Sequence, residues 1–140
     1  MKALAPYFIA TSAGIICFLG FIHLALTFRG PKLHPRNAAL QTEMQRVSPV
    51  LTDETTMWKA WIGFNASHSY GLILFGLVYG YLALAQRAFV FQSPFLLAVG
   101  LMFLAGYVFL AKIYWFSIPF LGVSLATVLY ASALFIVWIL

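Results

Sequence analysis

His23 and His68 are the residues of this 140-residue chain best placed to do chemistry. Each stands within an apolar run rather than in a polar loop. Imidazole is the side chain whose ordinary pKa lies near neutrality, and it also ligates metals. Asn65, Ser67 and Ser69 crowd around His68, and Thr27 follows His23 by four residues. Four hydrogen-bonding side chains in the five positions 65–69 of a membrane-length helix need partners, because lipid offers none. His23, Thr27, Asn65, Ser67, His68 and Ser69 are therefore the candidate ligand-binding set. Three readings suit them. Two histidines at similar depth can be the axial ligands of a b-type haem. The same groups can contact a quinone-like or lipid-like molecule. Or they hydrogen-bond between helices and fix the packing, typically for about 0.6 to 2 kcal/mol each.

The depths agree with a single layer. With the water boundary near Phe28 on the first helix and near Trp61 on the second, His23 lies inside one end of its span and His68 inside the matching end of its own. At about 1.5 Å rise per residue, their depths differ by about 3 Å. Thr27, Asn65 and Ser124 fall in the same half of the membrane. Other site types lack parts. No Asp or Glu lies inside an expected span, so a carboxylate dyad or proton relay has none. A general acid or base would be His68, with Asn65 orienting a substrate carbonyl, but no carboxylate would orient the imidazole. The protein therefore reads as non-catalytic. Zinc needs three or four ligands, and only His23 and His68 are suitably placed. No metal is expected except iron, if haem is bound. His34 stands beside Pro35 in a loop and reads as solvated. Asn65-Ala66-Ser67 matches a glycosylation acceptor but falls within a span.

Composition dictates the elements that must carry these groups. The chain is 64% hydrophobic and 8% charged, against about 25% charged for a soluble domain. Its mean hydropathy is +0.97. A transmembrane helix takes about 20 apolar residues, which leaves room for four spans and no soluble domain. The whole of 1–140 reads as one integral membrane domain, an all-α four-helix transmembrane bundle. The single cysteine, Cys17, excludes an intrachain disulfide and reads as a small packing residue. The net charge of +5 fits anionic headgroups and a basic loop, not nucleic acid.

The expected spans are residues 7–28, 57–86, 94–114 and 119–140. The first resembles a signal peptide but is longer than a typical apolar core and lacks a small-residue cleavage site, so it reads as a retained helix. Gly30-Pro31 stop it. Residues 35–47 read as a short interfacial helix capping the bundle, with Ala38, Ala39, Leu40, Met44 and Val47 on its apolar side. Residues 52–56 offer N-caps to the second span. Ser93 and Pro94 open the third span. Ser124, Thr127 and Ala131 give the fourth a small, weakly polar face. On the second span, Gly63, Ser67 and Gly71 recur every four residues, and Gly76 and Gly80 repeat the spacing. That is more small positions than one neighbour uses, so another membrane chain, a second copy or a larger complex, is expected along them. Arg29, Lys32, Arg36, Arg46, Lys59 and Lys112 fall on one side, Lys2 and Arg87 on the other. The long first loop is thus expected in the cytoplasm and the chain in an inner membrane.

The segment from Met57 to Gly71, MWKAWIGFNASHSYG, resembles the hallmark of a family of small bacterial four-helix membrane proteins, roughly MW-x-x-W-x-GFN-x-SH-x-x-G. The loop before it, from Met44 to Thr56, is similar in kind. The resemblance covers about a third of the chain. It implies a membrane location and a compact bundle, and it brings no activity with it. Four-helix membrane glutathione transferases are of similar size, but their arginine, asparagine and glutamate motif at the start of the second helix is not reproduced.

Overall fold

The computed structural model describes residues 2–138, and the side chains of residues 3–138. All regular structure among them is helical. A 3-10 turn, Lys2–Leu4, leads into α1 (Ala5–Phe28). Then come α2 (Ala38–Arg46), α3 (Met57–Ala85), α4 (Arg87–Phe91), α5 (Pro94–Tyr114) and α6 (Ser117–Trp138). Helices α1, α3, α5 and α6 are long and apolar enough to cross a membrane, as expected of a multi-pass membrane protein. α6 starts two residues before the expected boundary, and the expected end of the fourth span, residues 139–140, lies outside the described residues. α4 fills what read as a plain turn between the second and third spans.

Local chemistry explains most helix ends. Gly30 has φ 81°, a left-handed conformation that glycine adopts without strain, and it terminates α1. Asn37 caps α2, its Oδ1 accepting from the Ala39 and Leu40 amides at 2.9 and 3.4 Å. α2 is therefore shorter than the 35–47 expected, because the cap stands two residues beyond Pro35. No residue of α2 is buried, and Leu40 is half exposed. Thr56 caps α3 through the Lys59 amide at 3.3 Å. The Met57 amide also donates to the Val47 carbonyl at 2.9 Å, closing the loop between α2 and α3. Ser93 caps α5 by accepting from the Leu96 amide, with Pro94 in the first turn.

The chain divides into two compact units, Met1–Leu19 with Leu72–Leu140, and Gly20–Gly71. The first is a four-helix arrangement with a continuous core. Ile9, Ile16, Leu97, Leu104, Val123 and Tyr130 are fully buried in it. Close approach depends on small residues, as in membrane helix pairs generally. A Cβ on Gly76 would collide with the Cys17 Cβ and come within 2.6 Å of the Ala13 carbonyl oxygen. A Cβ on Gly100 would meet the Tyr130 phenol. Three hydroxyls of this core are paired across helices. Ser12 donates to the Ala126 carbonyl at 2.7 Å, Tyr79 to Leu96 at 2.7 Å and Tyr130 to Leu97 at 3.2 Å. Phe75, Phe103, Tyr107 and Trp115 continue the core as a run of ring contacts. Outward positions such as Leu74, Leu77, Met102, Phe109, Leu121 and Val128 are exposed and apolar, as contact with a lipid bilayer requires.

This packing corrects part of the expected seam. Gly76 is used inside the chain, against α1, and a Cβ on Gly80 would lie 3.9 Å from the Ala13 Cβ, an ordinary contact distance. Gly76, buried there, is not left over for a second chain. Gly63 has nothing within 4 Å of an added Cβ, and Ser67 is exposed. The stripe divides because its two halves belong to different units.

Candidate functional site

The second unit holds the end of α1, the long loop with α2, and the beginning of α3. Its polar cluster is built from two helices. α1 contributes His23 and Thr27, four residues apart and so on one face. α3 contributes Trp61, Asn65, His68 and Ser69 at spacings of three and four, again one face.

Asn65 is the hinge of the cluster and is 8% exposed. Its Nδ2 donates to the Trp61 carbonyl, one turn back, at 2.8 Å. A carbonyl only accepts, so this bond sets the orientation of the amide. Oδ1 then points at His23 Nε2, 3.1 Å away. An amide oxygen also only accepts, so Nε2 carries the proton and donates. In the neutral ring the lone pair therefore sits on Nδ1. A backbone carbonyl of α3 thus selects the tautomer of a histidine on α1, through one asparagine. His68 stands edge to face with His23, ring centroids 5.2 Å apart and planes at 76°. Both rings are half-buried.

The remaining candidates separate. Thr27 is buried and donates to the His23 carbonyl at 2.8 Å, so it supports the α1 turn beneath the imidazole. Ser69 is fully buried and donates to the Asn65 carbonyl at 2.9 Å. Its hydroxyl proton is thereby committed to its own helix. Ser67 does not join the cluster. It is exposed and donates to the Phe64 carbonyl at 2.9 Å. Two residues past Asn65 on a helix is about 200° round the axis, the opposite face. Ser124 belongs to the other unit; its Oγ is buried without a hydrogen-bond partner among the described residues.

The loop contributes groups that the sequence reading placed elsewhere. The Trp61 indole donates to the Leu33 carbonyl at 3.1 Å. His34 packs edge to face on Trp58, centroids 4.9 Å apart. His34 is half-buried rather than solvated as expected. The signal for this was the two tryptophans at the start of α3. An indole N–H that loses water needs an acceptor, and a neighbouring loop carbonyl supplies it. Trp58 and Trp61 thus tie residues 33–34 to the first turns of α3, about one to two turns before Asn65.

The arrangement handles hydrogen bonds, not charge transfer through carboxylates. The acids of this unit, Glu43, Asp53 and Glu54, are all exposed in the loop, and Glu43 pairs with Arg46 at 3.0 Å. No group of three His, Cys, Asp or Glu able to hold a metal occurs among the described residues. The two imidazoles are in edge contact, and His23 Nε2 is engaged by Asn65, so no slot for a macrocycle separates them. What the pair offers is a fixed donor and acceptor set at one level of the span. Comparison with protein families, with curated proteins and with solved structures finds no match for this chain.

Proposed function

We propose that this protein is a non-catalytic membrane binding module, in which His23, Asn65 and His68 hold the polar head of an apolar, lipid-like molecule. The observation that carries the reading is the relay of contacts from the Trp61 carbonyl through Asn65 to His23 Nε2. Asn65 is clamped by the Trp61 carbonyl and in turn directs the His23 proton, so the cluster is preorganised rather than merely satisfied. An isoprenoid alcohol, which both donates and accepts, or a quinone-like carbonyl, which only accepts, matches imidazoles in edge contact. Trp58 and Trp61 tie the loop to the first turns of α3, at the end of the span that carries the cluster. The likeness of residues 57–71 to a family of small bacterial four-helix membrane proteins supports a bundle in an inner membrane. The excess of Lys and Arg in the first loop supports its cytoplasmic placement.

One observation favours a second reading, an accessory subunit. Gly63 is open and Ser67 is exposed on the face of α3 away from His23, which leaves a small-residue surface for another helix. One preparation separates the readings. Gentle purification followed by extraction yields one stoichiometric apolar molecule on the first, lost in His23→Ala and His68→Ala. Elution only with a larger complex favours the second. A sharp visible band abolished by either substitution would establish haem and overturn both. Finding neither a co-purifying molecule nor a complex would refute the assignment.

A further inference from the structure

The first unit contains an uncompensated cation beside a groove. Its charged residues are Lys2, Arg87 and Lys112; all three acids of the sequence lie in the other unit. Arg87 therefore has no side-chain carboxylate in its unit with which to pair. It opens α4, in the short connection between the end of α3 at Ala85 and the start of α5 at Pro94. That connection joins two membrane-length helices, so it stands at headgroup level. The guanidinium is not loose: it lies 5.4 Å over the ring of Tyr7 on α1. Beside it is a groove of about 380 Å³, lined by Ala3, Pro6, Arg87, Phe91, Gln92 and Val137 among others. The groove is apolar apart from Arg87 and Gln92, at a level where water, headgroups and acyl chains meet.

We infer that this groove binds one anionic phospholipid, its phosphate on the Arg87 guanidinium and its glycerol region against Gln92 and the apolar walls. A guanidinium presents a planar fork that matches phosphate oxygens, and the cation–π contact with Tyr7 restrains the fork before the lipid arrives. The charge pattern selects the class. A zwitterionic head brings its own ammonium, and this unit has no Asp or Glu side chain to receive it. A net-negative head brings none. The site is independent of the His23 cluster: it shares no residue with it and lies in the other unit.

The test is native mass spectrometry of the intact protein in mild detergent, titrated with phosphatidylglycerol and with phosphatidylcholine of the same chains. One phosphatidylglycerol should be retained, roughly tenfold more tightly than phosphatidylcholine. Arg87→Gln should remove that preference. Lys112→Gln is the control: Lys112 is also a boundary cation lying over an aromatic ring, Phe120, at 5.4 Å, but it does not line this groove. It should leave the preference intact. Ala88→Trp keeps the charge and fills the groove, of which Ala88 is a wall; it should weaken phosphatidylglycerol as much as Arg87→Gln does. Arg87 and Ala88 are exposed, so helicity and the thermal transition should not change in either variant. Equal retention of the two lipids would overturn the site. So would equal losses in Arg87→Gln and Lys112→Gln, which would mean general electrostatic attraction. An unaffected Ala88→Trp would show that the groove is not where the lipid sits.

Discussion

Replacing Asn65 by leucine tests the core of the site, because the size of its effect follows from two bonds. The Trp61 carbonyl lies in the first turns of α3 and keeps its helical partner when Asn65 Nδ2 is lost. The His23 Nε2 proton has no such second partner in the same geometry. The cost is thus one imidazole N–H left unpaired inside a span. A buried unsatisfied donor costs about 1–3 kcal/mol in soluble proteins. Measured couplings between membrane helices average about 0.6 kcal/mol and reach about 1.7. A loss of about 1–1.5 kcal/mol is therefore expected for Asn65→Leu, within both ranges. The stronger statement is about coupling. His23→Leu removes the donor, so Asn65→Leu should cost about 1 kcal/mol less when introduced into that variant. The assay is reversible unfolding in mixed micelles of wild type, both single variants and the double variant, followed by near-UV circular dichroism. If Asn65→Leu costs the same in both backgrounds, the two residues do not act through one bond, and the tautomer argument fails with it.

The same substitution at two glycines of α3 should have opposite outcomes. Gly76→Ala drives a Cβ into the Ala13 and Cys17 backbone and should cost at least about 1–3 kcal/mol, whereas Gly63→Ala meets nothing within 4 Å and should be neutral or slightly stabilising in the same unfolding assay. Trp61→Phe removes the indole donor to Leu33 while keeping an aromatic ring. Backbone amides of residues 31–36 should then exchange with deuterium faster, and amides in the middle of α3 should be unchanged. Ser67→Ala should leave both the co-purifying molecule and the unfolding transition as in wild type, because Ser67 points away from His23; loss of the molecule would place the site on the wrong face of α3.

Hydropathy and helix punctuation are local properties, and the chain states them residue by residue. The four spans could be read from apolar runs of sufficient length, and α1, α3 and α5 end within two residues of expectation because Gly30, Thr56, Ser93 and Pro94 act on their own neighbours. The nearness of His23, Asn65 and His68 was legible for the same reason: depth in a membrane follows from counting residues from the boundary. Which face of a helix is occupied, and by whom, is not local. Ser67 counted as part of the site because it is near His68 in sequence, and helix rotation turned it outward. Gly63 and Gly76 look alike in the sequence, yet only Gly76 meets another backbone. His34 looked solvated until Trp58 packed against it. The orientation of the Asn65 amide, and through it the position of the His23 proton, exists only once α1 and α3 are side by side. Hydrogen-bond direction is a property of a pair of groups at about 3 Å, and no reading of either helix alone contains it.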